Sequence, residues 1–204
     1  MTANEAVLVS VVDDDAAVRD ALGILLRMSG YRVMAYESAV AFLKAEGEKQ
    51  CDCLVADIRM PDMDGIELQQ ELNRRGNKIP VIIMTGHGDI PLAVRAMKAG
   101  AIDFLEKPFE EEAFLMSLRA ALASREKGAA AGAEAETARA RIAGLTPREK
   151  DVLDQLVDGH QNKMIAYNLS ISPRTVEVYR GRVMEKMKAR SVADLVRMAL
   201  ASRD

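Results

Sequence analysis

The sequence predicts two folds in one chain: a doubly wound α/β unit on five parallel strands, followed by a small all-α unit of four helices. Over residues 6–123, five short apolar runs alternate with five segments whose apolar residues recur at helical spacing. Residues 125–144 lose any apolar stripe and turn Ala-, Gly-, Glu- and Arg-rich, and from Leu145 onward only helical periodicity remains. Charge divides at the same place. Residues 1–124 carry 13 Lys+Arg against 20 Asp+Glu, residues 125–204 carry 15 against 11, and Lys163 to Arg190 carries 7 against 2. An acidic front and a basic back point to modules with different partners, the rear one a polyanion.

Each element has its own signal. Leu8 to Val12 is an unbroken apolar run and reads as the first strand. Ala16 to Met28 follows with Val18, Leu22, Leu25 and Leu26 at helical spacing, Asp15 in the N-cap place and Gly30 after the end. Tyr31 to Tyr36 is the second strand and Ala39 to Ala45 a short helix. Cys53 to Ala56 is the third strand; a loop with Pro61 and Gly65 leads to a helix over Ile66 to Arg74. Pro80 opens the fourth strand, Val81 to Met84, and Pro91 to Ala99 is the next helix. Ile102 to Leu105 is the fifth strand and Glu110 to Ala123 the last helix of the front unit. Strands alternating with helices imply right-handed crossovers and a parallel sheet covered on both faces, and continuous apolar strands agree with that burial.

Domain boundaries are expected at 1–124, 125–144 and 145–204. The middle segment reads as an Ala-rich linker, able to form a partly helical spacer that Gly128 and Gly132 weaken. Behind it, Thr146-Pro147-Arg148-Glu149 combines an N-cap, a proline at the first helical position and a capping-box glutamate. Val152, Leu153, Leu156 and Val157 form that helix's apolar face, and Gly159 ends it. Asn162 to Asn168 is a short helix with Ile165 and Ala166 inward. Ser172-Pro173 starts a third, with Val176, Tyr179, Val183 and Met187 on one stripe, and Ser191 caps a fourth running through Leu200. Two short helices before a longer basic one fit a helix-turn-helix.

With 49% hydrophobic and 29% charged residues, the chain has the composition of a soluble globular protein. No apolar stretch approaches the ~20 residues of a membrane span, and no signal core follows the N-terminus, so a cytoplasmic protein with no membrane partner is expected. Cys51 and Cys53 sit too close in sequence for a relaxed disulfide and are too few for a zinc site, so both are expected as partly buried thiols.

Four polar signals each follow one of the strands: Asp13-Asp14, Asp57, Thr85 and Lys107-Pro108. Parallel sheets bind ligands at the carboxyl ends of their strands, so all four are expected in one pocket. Acids, a hydroxyl and an ammonium together suit Mg²⁺ and a phosphoryl group. Asp57 is placed as the nucleophile. Asp14, Asp57 and the backbone carbonyl of Arg59 are expected to ligate Mg²⁺ directly, with Asp13 acting through water. Thr85 donates to a phosphoryl oxygen and Lys107 neutralises another.

The segments VVDDD, ADIRMPDMDG, TGHGD and DFLEKPF resemble those of a response-regulator receiver domain, which covers residues 6–123 and has a flavodoxin-like fold. The resemblance implies that Asp57 is the phosphoacceptor, Asp13 and Asp14 the acidic pair, Thr85 the switch hydroxyl, Lys107 the phosphate-binding lysine and Phe104 the aromatic switch residue. It also implies that Arg59 and His87 stand at positions that tune phosphate lifetime. The rear segments LTPRE, NKMIA and SPRTVEVYR resemble the LuxR/NarL-type helix-turn-helix, most closely that of FixJ-like regulators.

On the wheel of the third rear helix, Arg174, Glu177, Val178, Gly181 and Glu185 oppose the core stripe and are expected to face the major groove. Arg174 suits guanine, Glu177 cytosine and Val178 a thymine methyl. Lys163, Ser172, Thr175, Arg180, Arg182, Lys186 and Lys188 complete the expected DNA contacts, the basic residues and Thr175 as phosphate contacts. Glu177 and Gly181 stand where NarL-type relatives carry lysines, so site preference is not transferable. Gly181 in mid-helix points to a close approach by DNA or by another helix.

The resulting expectation is a two-component transcription regulator. A sensor histidine kinase phosphorylates Asp57 with Mg²⁺, the chain dimerises, and it binds double-stranded promoter DNA and engages RNA polymerase. A haloacid-dehalogenase-type phosphatase also opens with an Asp-x-Asp after its first strand. Here Ala16-Ala17 replaces its following threonine and Asp57 would have no role, so a turnover enzyme is not expected.

Overall fold

The computed structural model describes residues 7–45, 51–86, 90–126 and 131–202. Along the chain run β1 (Leu8–Val12), α1 (Ala16–Met28), β2 (Arg32–Tyr36), α2 (Ala39–Lys44), β3 (Cys53–Asp57), α3 (Gly65–Arg74), β4 (Val81–Thr85), α4 (Ile90–Lys98), β5 (Asp103–Glu106) and α5 (Glu111–Glu126). There follow α6 (Ala131–Ala143), α7 (Pro147–Val157), α8 (Asn162–Leu169), α9 (Pro173–Met187) and α10 (Val192–Ala201). The chain divides into two compact units, Met1–His87 with Ala99–Glu126, and Gly88–Lys98 with Lys127–Asp204.

The first unit is a five-stranded, all-parallel sheet in the order β2-β1-β3-β4-β5. Because side chains alternate along a strand, Val9, Val11, Cys53, Val55, Ile82 and Met84 point to one face, where they pack with Leu22 and Leu26 of α1 and Phe114, Leu118 and Ala121 of α5. Each fully buried Val, Leu, Ile or Phe side chain contributes about 1.5–3 kcal/mol. Leu54, Ala56 and Ile83 alternate to the other face and are equally buried. Cys51 and Cys53 are free buried thiols, and burial pushes the Cys53 thiol well above its ordinary range.

Register aligns the strand ends. Val12 is level with Ala56, Asp57 with Met84, and Thr85 with Glu106. The residues at or just beyond these positions, Asp13, Asp57, Thr85 and Lys107, therefore lie along one edge. Asp57 is also gripped from below. A Cβ on Gly65 would stand 2.3 Å from the Asp57 carbonyl oxygen, so only glycine lets α3 start against the end of β3. Asp64 and Glu67 close a capping box there.

The helical unit is built around Val152, Leu156 and Val157 of α7, Ile165 of α8, Val176, Val183 and Met187 of α9, and Leu195 of α10. The expected caps form: Thr146 and Glu149 make a reciprocal capping box, Ser172 caps α9 and Ser191 caps α10. α4 belongs to this unit and packs with α10 and α7. Gly159, at φ +85°, ends α7 beside Pro91 and Val94 of α4.

The segment expected as an Ala-rich, partly helical linker includes the helix α6, and one reading is corrected: it does carry an apolar face, with Ala138 buried and Ile142 packed on the helical core. Two apolar positions four apart are a stripe too thin to stand out among so many alanines. Of the two approaches expected at Gly181, that of another helix is not seen: among the described residues nothing lies within 4 Å of where its Cβ would stand, which leaves the approach of DNA.

Glu149 is almost fully buried, and the Lys186 ammonium at 2.7 Å holds its carboxyl down at about 2, helped by the backbone N–H of Thr146. Gly65→Ala is expected to destabilise the chain by about 1–3 kcal/mol through its clash with the backbone, whereas Gly181→Ala should stabilise it by about 1 kcal/mol; thermal unfolding distinguishes the two signs. A depressed carboxyl stabilises the fold fully above its unfolded value near 4.5, and that contribution is lost as pH falls through about 2. Acid titration of unfolding should show this loss in the natural chain and lose that component in Glu149→Gln.

Candidate functional site

At the carboxyl edge of the sheet, one ammonium joins two acids. Lys107 Nζ lies 2.6 Å from Asp13 Oδ2 and 2.6 Å from Asp57 Oδ1. Asp13 is held for this contact, its Oδ1 accepting from the Asp15 N–H at 2.9 Å while Arg19 Nη1 donates to its carbonyl at 2.6 Å. Asp57 Oδ2 accepts from the Arg59 N–H at 2.6 Å, which brings the Arg59 peptide beside the carboxylate. The Lys107 N–H donates to the Thr85 carbonyl at 2.7 Å, and the Lys107–Pro108 peptide is cis.

Asp13 and Asp57 are 1% and 6% exposed, so their charges are poorly solvated. Burial pushes the Asp57 carboxyl upward, against the hydrogen bond and charge of Lys107. Burial works the opposite way on Lys107, but its hydrogen bonds to Asp13 and Asp57 outweigh it and raise the ammonium's pKa. Lys107 thus stays charged. Thr85 is fully buried and Phe104 nearly so.

The structure brings Asp13, Asp57 and Lys107 into contact, with Thr85 beside them. Asp14 is exposed next to Asp13, and His87 lies outside the described residues. Among the described residues no three acidic, histidine or cysteine side chains form a ready metal cluster, and Lys107 bridges Asp13 and Asp57. The available donors, carboxylates and a backbone carbonyl, are all oxygen, which fits a hard divalent cation. Arg19 and Gly65 are contributors that the sequence reading missed. Gly65 was legible only as a loop glycine, and nothing local marks Arg19.

On α9, Arg174, Glu177, Val178, Gly181 and Glu185 are all exposed and oppose the buried Val176, Val183 and Met187. Ser172 and Thr175 are engaged with each other, since the Thr175 N–H donates to Ser172 Oγ and their hydroxyls lie 2.8 Å apart. Lys163 and Lys188 are exposed, Arg180 is half-buried, and Arg182 lies over the Tyr179 ring. Lys186, also exposed, has an ion-pair partner within the protein: its ammonium ties α9 to Glu149 at the start of α7. Sequence could not show this pairing across 37 positions. Among the described residues, no helix is long and apolar enough to cross a membrane.

Two family models match: the response regulator receiver domain over residues 9–119 and the luxR family of bacterial regulatory proteins over 143–199. The chain is 55% identical to the transcriptional regulatory protein FixJ of Azorhizobium caulinodans, covering 96% of this chain and 93% of that one. It is 44% identical to the response regulator protein TmoT of Ectopseudomonas mendocina, over 97% of this chain and 90% of that one. A crystal structure of full-length FixJ from B. japonicum aligns with a TM-score of 0.57 at 47% identity, covering 96% of this chain and 97% of that one. These relatives are transcription regulators, not enzymes; the receiver domain implies a sensor kinase as partner and the luxR-family domain implies DNA binding. The chain belongs to the FixJ-type two-component response regulators, in which a receiver domain is joined to a luxR-family DNA-binding domain that regulates transcription.

Proposed function

We propose that Asp57 accepts a phosphoryl group from a sensor histidine kinase and that this modification switches the chain to a DNA-binding dimer. An Asp57 carboxylate oxygen attacks phosphorus, the phosphorus–nitrogen bond of the phosphohistidine breaks, and the imidazole leaves. The observation that carries the reading is the shared ammonium of Lys107, which directs the carboxylates of Asp13 and Asp57 at one point. Mg²⁺ bound by Asp13, Asp14, Asp57 and the Arg59 carbonyl would supply further charge neutralisation to the incoming phosphoryl group.

Within this reading Lys107 turns to a phosphoryl oxygen, Thr85 donates to another, and Phe104 follows Thr85. Thr85 leads in sequence to α4, a helix whose partners are α7 and α10, which supports a switch felt by the DNA-binding unit. Dimerisation would then present two copies of α9 to a two-fold promoter site, with Arg174, Glu177 and Val178 reading bases. RNA polymerase is the partner of the promoter-bound dimer.

Asp57→Asn is expected to abolish acetyl-phosphate-dependent dimerisation and tight DNA binding, measured by light scattering and fluorescence anisotropy; unchanged behaviour would exclude the switch. Lys107→Met should lower the melting temperature by leaving two buried carboxylates without a counter-charge, a loss of about 3–5 kcal/mol by analogy with broken buried pairs. Mg²⁺ should restore more stability to that variant than it adds to the natural chain, because the ion then replaces the missing cation. Equal Mg²⁺ effects in the two would argue that the carboxylates do not share a cation site.

A further inference from the structure

α6 grips the ends of two helices. Its buried Ala138 and core-packed Ile142, four positions apart, define its inward face. At about 100° per residue, Arg139 and Arg141 flank that face on opposite sides, each about 80° from its midline. Each reaches a different helix end. Arg139 Nε donates to the Ser202 carbonyl at the end of α10 at 2.9 Å, and Arg141 Nη1 donates to the Met187 carbonyl, the last of α9, at 2.9 Å.

A helix C-terminus carries unpaired carbonyls and about half a negative charge, so a guanidinium there satisfies both an acceptor and a dipole. The end of α9 is otherwise closed by its own backbone. Lys188 turns left-handed at φ 54°, and the N–H groups of Lys188 and Ala189 fold back to Glu185 and Met184. Arg141 adds an anchor from outside the helix. Ala138 and Ile142 hold α6 in place, so the anchor point is fixed relative to the core and not to a loose tether.

We propose that Arg141 is a positioning residue for DNA binding: it pins the C-terminal end of α9 to α6 and thereby sets the angle at which Arg174, Glu177 and Val178 enter the groove. This rests on the reading of α9 as the recognition helix. Arg139 provides a matched control, with the same residue type, the same helix-end bond and the same charge, but attached to α10, which offers no groove face. The segment joining the two family matches thereby acquires a role in DNA binding that a passive linker would lack.

The test uses the full chain with Mg²⁺ and beryllofluoride, and a duplex selected from a random pool by the natural chain. Arg141→Gln is expected to weaken binding about fivefold or more, in line with loss of one charged helix-end contact, with Arg139→Gln within about twofold. The slope of log affinity against log salt should stay unchanged in Arg141→Gln, whereas loss of a direct phosphate contact would reduce it by about 0.9. Arg141→Lys, which keeps a donor at that end, should recover most of the affinity and carries the comparison if Arg141→Gln does not fold. Natural affinity in Arg141→Gln, an equal loss in Arg139→Gln, or a reduced salt slope would overturn the proposal. Arg174→Ala separates the two readings: if it weakens binding while Arg141→Gln does not, positioning fails alone, and if neither variant does, the recognition helix itself is misassigned.

Discussion

The ammonium of Lys107 reaches from the end of β5 past β4 to acids at the ends of β3 and β1, and the rest of the front unit exists to make that reach possible. Adjacent strands lie about 5 Å apart, so the contact demands a register that brings all four strand ends level. The pairing of Val12 with Ala56, Asp57 with Met84, and Thr85 with Glu106 meets that demand. Two poorly solvated carboxylates facing one another would repel. One cation between them makes the arrangement stable, and it also leaves both oxygen sets directed at a common point, the place proposed for the metal ion and the phosphoryl group.

That arrangement is responsive because the balance of charge in it is tight. In the proposed switch, a phosphoryl group on Asp57 would replace one carboxylate charge with a larger, more distant one, and Lys107 would follow it. The backbone bond from Lys107 to the Thr85 carbonyl ties this movement to β4, where the buried hydroxyl of Thr85 sits. Nearly buried Phe104 lies on the neighbouring strand, level with Ile83. In the proposed switch, a local charge event at Asp57 would thereby be felt along β4 and β5, as a small change is in a packed core.

Much of the site was legible in sequence, for a physical reason. A parallel sheet places every strand's carboxyl end on one edge, so apolar runs followed by Asp13, Asp57, Thr85 and Lys107 imply a pocket without any contact being known. The exposed face of α9 was legible for a similar reason, since helical periodicity separates Val176, Val183 and Met187 from Arg174, Glu177 and Val178. Long-range pairings were not legible. The ion pair of Lys186 with buried Glu149 went unseen because the two are far apart in sequence. Gly65 matters because of the carbonyl of Asp57, a contact made only when the loop returns. Arg141 lay in a stretch whose alanines hid the thin inward face formed by Ala138 and Ile142.

The central claim is that occupancy of the Asp57 pocket controls the affinity of α9 for DNA. The most direct test titrates the full chain with beryllofluoride and Mg²⁺, following pocket occupancy by fluorine NMR and duplex affinity by anisotropy in the same samples. Affinity rising in step with occupancy, with neither change in Asp57→Asn, is the predicted result. A fully occupied pocket with unchanged DNA affinity would contradict the account.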